Sequence, residues 1–446
     1  MSRILVYTSP SRGHLYPLVP TLVELRERGH EVRVVTLSSQ VVALRELGFD
    51  AVSVDPRVEA IEMEDWRAKT PIGAQRREVG SLVARAPLEL AEVRAALDGV
   101  DAALIDTTAW GAQVAAEASG LAWATFGHFP LPIPSRDAPP YGLGLAPRAD
   151  RIGRARDALA RRLILRPLER IVLSKLNALR AEQGLRPLRD AKDAFADIAP
   201  LVLYYTAEPF EYPRRDWPGS VRLVGPGVWD PPAAEPEWLA HLERPLIVVT
   251  CSTEFQDDGE LAATALEAFA DSPYQLAVTT AAVDPASLPS ARNAHVARFM
   301  PHRPLLRRAA CVICHAGMGI TQKALAAGVP VCAVPFGRDQ FEVGRRVAVA
   351  GAGVILPAGK LRPDRLRAAV ERTIDRTDGA RHIAAAFAAA GGAPAAADAV
   401  EDLLQNVGPP DGAAVPGGAP VNPVSHGRGP RPAAATPLAT SNEETR

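Results

Sequence analysis

The sequence predicts an α/β protein made of two doubly wound domains facing each other across a cleft, and three observations carry that expectation. Short apolar runs alternate with helix-spaced segments; the alternation stops and restarts at residue 246; and a stretch dense in proline and glycine, PFEYPRRDWPGSVRLVGPGVWDPPAAEPEW, lies between the two series. A chain of 446 residues, 47% of them hydrophobic, can fill two such cores.

The first series opens with the strand RILVYT and a Gly/Pro/Ser turn, SPSRGHLYP. LVPTLVELRER follows, with Leu18, Val19, Leu22 and Leu25 at helical spacing, prolines in its first turn and Gly29 as its stop. EVRVVTL completes a right-handed βαβ unit over a parallel sheet. The pattern returns as strand VDAALID, helix TTAWGAQVAAEASG and strand LAWATFG. The second series runs LIVVTCS, DGELAATALEAFA, YQLAVTT, HVARFM, AACVICH, the helix GITQKALAAG, VPVCAVP and VGRRVAVAGAG. The expected boundaries are a first domain at 1–207, a linker at 208–243, a second domain at 244–390 and a terminal helix at 391–406. In residues 407–446, eight prolines and six glycines among 40 positions predict a disordered tail.

Charge removes some function classes. Fifty Lys plus Arg against 51 Asp plus Glu leave a net charge of −1, so no basic field points to nucleic acid. Four cysteines are too few for a disulfide-stapled secreted fold. The first apolar run is too short for a signal-peptide core and no stretch approaches the roughly 20 apolar residues of a spanning helix, so a cytoplasmic location is expected. Residues 148–180 form a basic stretch with helix-spaced leucines and isoleucines, expected as a solvated helix face, with a weak membrane-surface contact as the alternative.

The segment CVICHAGMGITQKAL contains Cys-x-x-Cys-His, the attachment pattern of a c-type haem. On a strand, Cys311 and Cys314 point to opposite faces and cannot clasp one ring, so both are expected as small core residues. In open parallel sheets ligands gather beyond the carboxyl ends of the strands. Gly317 and Gly319 lie at such an edge, at the head of a helix, where backbone amides and His315 can receive an anion such as a phosphate. No P-loop is present, because Gln322 and Ala324 flank Lys323, and SPSRGH lacks Gly-x-Gly-x-x-Gly. Opposite this corner, His14 follows the first strand and Asp106 ends VDAALID. A carboxylate on one ring nitrogen would fix the tautomer and leave the other to take a proton.

SRGHLYPLVPTLVELRERGHEV and FMPHRPLLRRAACVICHAGMGITQKALAAGVPVCAVPFGRDQ resemble the two halves of the family 1, GT-B nucleotide-sugar-dependent glycosyltransferases, the group that includes the macrolide and secondary-metabolite enzymes. The resemblance spans residues 3 to 405. It implies that 1–207 binds the acceptor and 244–390 the donor. It implies His14 as general base and Asp106 as its orienting partner. It places His315, Gly317, Gly319 and Thr321 at the donor diphosphate with Ser252 and Thr253 of VTCSTEF. It puts Phe299 against the nucleobase, the backbone at Met300 and His302 on its edge, and Asp339 and Gln340 on the sugar hydroxyls. The implied reaction is an inverting transfer from a UDP- or TDP-sugar to a hydroxyl of a bulky, partly apolar acceptor. It needs no cofactor and no metal, since the helix terminus and His315 meet the leaving charge. The loops IEMEDWRAKTP and FGHFPLPIPSRDAPPYGLGLAP are expected to form the acceptor pocket. Asp257 and Asp258 are expected as an exposed loop pair.

Lys323 departs from the family pattern. It stands where such enzymes usually carry a ribose-binding Glu, and an ammonium cannot accept those hydrogen bonds, though it could pair with a phosphate. Val343-Gly344 stand where Asn-Ala is common, and FMPH has histidine at the position of a usual glutamine. A GT-B epimerase or hydrolase, or a non-catalytic partner protein, are the alternatives. Sugar, acceptor and oligomeric state stay open.

Overall fold

The computed structural model of the protein describes residues 1–68, 70–253 and 258–406. The tail expected at 407–446 lies outside the described residues, as do Glu254, Phe255 and Asp257. Two parallel sheets organise the rest. The first contains β1 (Arg3–Tyr7), β2 (Glu31–Thr36), β3 (Asp50–Ser53), β4 (Ala102–Asp106), β5 (Ala122–Gly127), β6 (Leu201–Tyr204) and β7 (Val221–Leu223), in spatial order 3-2-1-4-5-6-7. The second contains β8 (Leu246–Thr250), β9 (Gln275–Thr279), β10 (Ala294–Ala297), β11 (Ala309–Cys314), β12 (Val331–Ala333) and β13 (Gly353–Ile355), in order 10-9-8-11-12-13.

Each sheet reverses its winding once, between β1 and β4 in the first and between β8 and β11 in the second. The connections after those strands depart to opposite sides, opening a crevice at their carboxyl ends. Strands buried on both faces explain the unbroken apolar runs of the sequence. Cys314 packs into one face of the second sheet and Cys311 into the other, as two small core residues. In the helix Val19–Glu27, Leu22 and Leu25 are fully buried, as their spacing predicts.

One boundary differs from expectation. The supposed linker 208–243 supplies β7, which pairs with β6 in the register Val202↔Val221 to Tyr204↔Leu223. A three-residue edge strand following Pro213 and Pro218 is too short to show a period of two. The terminal helix Gly392–Asn406 returns to the first domain, where Ala396, Ala397, Val400 and Leu403 join the core of β1 and the Val19–Glu27 helix. Residues 377–406 are together long and apolar enough to cross a membrane, contrary to the expectation that no stretch is. Their apolar faces are divided between two cores, however. Ala380, Ile383 and Phe387 serve the second domain, and Gly391 and Gly392, both at positive φ, break the helix before it crosses to the first.

Candidate active site

The first crevice holds a histidine–carboxylate pair. His14 sits in the short helix Arg12–Leu15 directly after β1, and Asp106 is the last residue of β4. Nδ1 of His14 lies 2.7 Å from Oδ2 of Asp106. The carboxylate also accepts the Ser9 N–H (3.1 Å), the Thr108 N–H (2.8 Å) and the Thr108 hydroxyl (2.7 Å). Burial alone would raise the Asp106 pKa, but His14 and the backbone donors overcome it and hold the group below the ordinary carboxylate range. An ionised Asp106 keeps the proton on Nδ1 and makes Nε2 the basic nitrogen.

His128, immediately after β5, packs edge-on against His14 with ring centroids 4.1 Å apart. Burial first, and then repulsion by His14, push its pKa down to about 3. It stays neutral and so adds no competing charge. Nothing local in the sequence marks this residue, because its role comes from β5 lying next to β4.

Beside the pair opens an apolar cavity of 190 Å³. Thr108, Trp110, Phe129, Ile133 and Tyr141 line it, with Glu78 and Glu169 as acidic members. Burial lifts the Glu78 pKa to about 7. The Pro-rich loop 126–147 forms one wall. The other loop expected there, 61–71, supplies no lining residue among those described. Its Asp65 instead holds Arg338 of the second domain, Oδ1 to Nη2 at 2.8 Å and Oδ2 to Nε at 2.8 Å.

The second crevice contains the helix Met318–Ala326, whose N-cap is Gly317. A Cβ at Gly317 would lie 2.3 Å from Nε2 of His315, so the glycine is required by the imidazole folded over it. Among the described residues, a Cβ at Gly319 would meet nothing within 4 Å, so no described group crowds that side of the helix terminus. Ala316, at φ 65°, is a strained non-glycine residue at the same turn. His315 is buried, and burial lowers its pKa.

Asp258 corrects an expectation. It is 1% exposed, accepts the Ser252 N–H at 2.6 Å and lies 3.9 Å from Nδ1 of His315. The loop after β8 turns its carboxylate inward, which a sequence pair of aspartates does not reveal. Thr253 is exposed beside Ser252. Thr321 also differs from expectation: its hydroxyl is fully buried 3.9 Å from the Cys314 sulfur and its N–H donates to Gly317 O, so neither is turned to an anion. The amides of Met318, Gly319 and Ile320 head the helix instead.

Phe299 is half exposed after β10, Met300 is buried, and His302 places Nε2 3.2 Å from the Thr279 hydroxyl. Burial lowers the His302 pKa to about 4. Asp339 begins the helix Gln340–Val349; burial raises its pKa to about 6 against the pull of Arg338, and His14 is close enough to contribute to that balance. Gln340 spends its carbonyl oxygen on the Phe336 and Gly337 N–H groups, holding the PFGRDQ turn. Lys323 is ion-paired with Asp230, whose other oxygen accepts the Arg303 N–H, so its partner is a linker carboxylate.

Comparison with known proteins bears on the family and the fold. Residues 274–405 match a sequence profile of the erythromycin biosynthesis protein CIII-like C-terminal domain. The chain is 33% identical over 393 residues to 4'-demethylrebeccamycin synthase of Lentzea aerocolonigenes, covering 84% of this chain and 92% of that enzyme. Its fold is similar to that of CalG4, the calicheamicin glycosyltransferase, with a TM-score of 0.73 at 22% identity over 92% of this chain and all of the other. The glycosyltransferase VinC, solved in complex with dTDP, superposes with a TM-score of 0.66 at 21% identity, over 91% of this chain and all of that one.

Proposed function

Because the chain belongs to the family 1, GT-B glycosyltransferases of secondary-metabolite biosynthesis, we propose that it moves a sugar, with inversion and without a metal, from a UDP- or TDP-sugar to a hydroxyl of a bulky, partly apolar acceptor. One observation carries this reading: the His14–Asp106 pair and the Gly317–Ile320 helix terminus occupy the switch-point crevices of two sheets, and Asp339 of the second lies within electrostatic reach of His14 in the first.

In this mechanism the acceptor lies in the cavity beside Thr108 with its hydroxyl toward Nε2 of His14. As the oxygen bonds to the anomeric carbon, its proton passes to Nε2, and the carbon–oxygen bond to the diphosphate breaks with its electron pair leaving on phosphate. The amides at Met318–Ile320 and His315 receive that charge, the part a divalent cation plays elsewhere. Asp339 accepts hydrogen bonds from the sugar hydroxyls. Asp230, fixed by Lys323, returns a carboxylate to the neighbourhood where the usual ribose-binding residue is missing. Phe299 offers an exposed ring to the base.

The test is a screen of UDP-, TDP- and GDP-sugars with hydrophobic alcohols and phenols, followed by NMR of the product anomer, with and without EDTA. An inverted glycoside formed equally in chelator supports the proposal. A retained anomer or loss of transfer in EDTA contradicts it.

A further inference from the structure

We infer that the helical segment 151–182 is a membrane-surface element that recognises anionic lipid and sets the acceptor cavity against the bilayer. The segment runs Arg151–Ala160, a π-type turn at Arg161–Leu165, and Arg166–Glu182 without a break. Among the described residues, twelve large hydrophobic side chains are exposed, and five of them, Ile152, Leu159, Leu163, Ile164 and Ile171, belong to this one segment. Intervals of seven and four residues place Ile152, Leu159 and Leu163 along one side. A contiguous exposed apolar stripe of this kind marks an interaction surface.

Charge selects the occupant. Residues 148–180 carry ten basic and three acidic side chains, in a chain whose net charge is −1. The acidic three are committed: Asp150 to Arg148, Asp157 to Arg156, and Glu169 to the Ala191 N–H. Arg151, Arg162, Arg166 and Arg170 are exposed, and among the described residues none of them forms an ion pair. Arginines bordering an apolar stripe are the chemistry of a helix lying in the headgroup region of an anionic membrane. The inward face of the same segment lines the cavity next to His14 with Leu165, Glu169, Val172 and Leu173. A lipid-partitioned acceptor would therefore reach the cavity along the helix that holds the surface. That last link rests on the acceptor reading above; the surface itself does not.

The experiment is co-sedimentation of the full chain with vesicles of equal phosphatidylglycerol and phosphatidylcholine, and with phosphatidylcholine alone, free of donor and acceptor. Binding to the anionic vesicles should be at least about tenfold tighter, weaken with salt, and fall about tenfold in Arg162→Glu/Arg166→Glu. Leu159→Glu/Leu163→Glu alters only exposed side chains, should melt like the wild type, and should abolish binding. Absence of binding to either vesicle, or binding unchanged in both variants, overturns the inference. So does a wild-type oligomer that ignores vesicles and becomes monomeric in Leu159→Glu/Leu163→Glu, which would give the stripe to a second copy. Because no sugar is transferred in this assay, its failure leaves the enzymatic reading standing.

Discussion

Asp106 answers to more than His14, and that alters what its replacement should do. From sequence alone, Asp106→Asn is expected to be milder than His14→Ala, since the imidazole survives. The structure shows both carboxylate oxygens accepting backbone N–H groups, from Ser9 and Thr108, as well as facing Nδ1. An amide must turn its NH2 toward a donor or toward the ring, so it disturbs the turn or inverts the tautomer. Transfer in Asp106→Asn should therefore fall to within about tenfold of the His14→Ala rate, as steady-state kinetics can measure. Asp339 supplies a pH signature. With its pKa raised to about 6 by burial, it is ionised above that value, so donor KM should rise as pH drops through about 6. Asp339→Asn should flatten that rise, and an unchanged profile would remove the carboxylate from donor binding. His14, Asp106, His315 and Gly317 were legible because each ends a strand or opens a turn. Asp258, His128, Arg338 and Asp230 were not, because their roles depend on which strand or domain lies beside them.

At the scale of elements, the parallel strands were plain in the sequence because burial on both faces demands continuous apolar runs. The short edge strand β7 was hidden, since three residues have no period to read; the terminal helix was expected from 391 and begins at Gly392, but its return to the first domain was not legible. The long helix Pro71–Ala96 carries a further consequence. Its Glu89 is fully buried, accepts the Gly111 N–H at 3.0 Å, and is pushed by burial up to about 8. A folded pKa above the unfolded one means the favourable neutral form is complete below about 4.5 and is lost as pH rises through about 8. Glu89→Gln should abolish that alkaline loss, so its melting temperature relative to wild type should climb between pH 5 and 9. A constant difference across that range would contradict the assignment.

Over the whole molecule, charge joins the two domains around the crevices. Arg346 of the second domain reaches Glu211, beyond the first sheet's β6, with Nη2–Oε1 and Nε–Oε2 both 2.9 Å and both residues buried. Burial alone would raise the Glu211 pKa, but Arg346 and Arg214 draw it down to about 2. The pair's stability is therefore present above about 4.5 and lost as pH falls toward 2. Arg346→Met leaves buried Glu211 with Arg214 and the Tyr204 hydroxyl but without its bidentate partner, and should cost about 1.5–3 kcal/mol in denaturant unfolding at neutral pH. A cost below about 1 kcal/mol would show the joint to be incidental. Glu342, accepting the Gly142 and Gly144 N–H groups, and Arg338 on Asp65 complete the seam. None of these pairings has a sequence signature, since their partners are more than 130 residues apart.

The central claim is that a base from one domain and an anion-binding helix terminus from the other act on a single substrate pair. Single-turnover transfer and calorimetric binding of the nucleoside diphosphate, measured together on His14→Ala and Gly317→Ala, test it most directly. The account predicts that His14→Ala binds the diphosphate as wild type does while transferring at least about a hundredfold more slowly. It predicts that Gly317→Ala, whose Cβ would displace the His315 ring, loses diphosphate affinity. Undiminished transfer by His14→Ala at saturating donor, or undiminished diphosphate binding by Gly317→Ala, would contradict it.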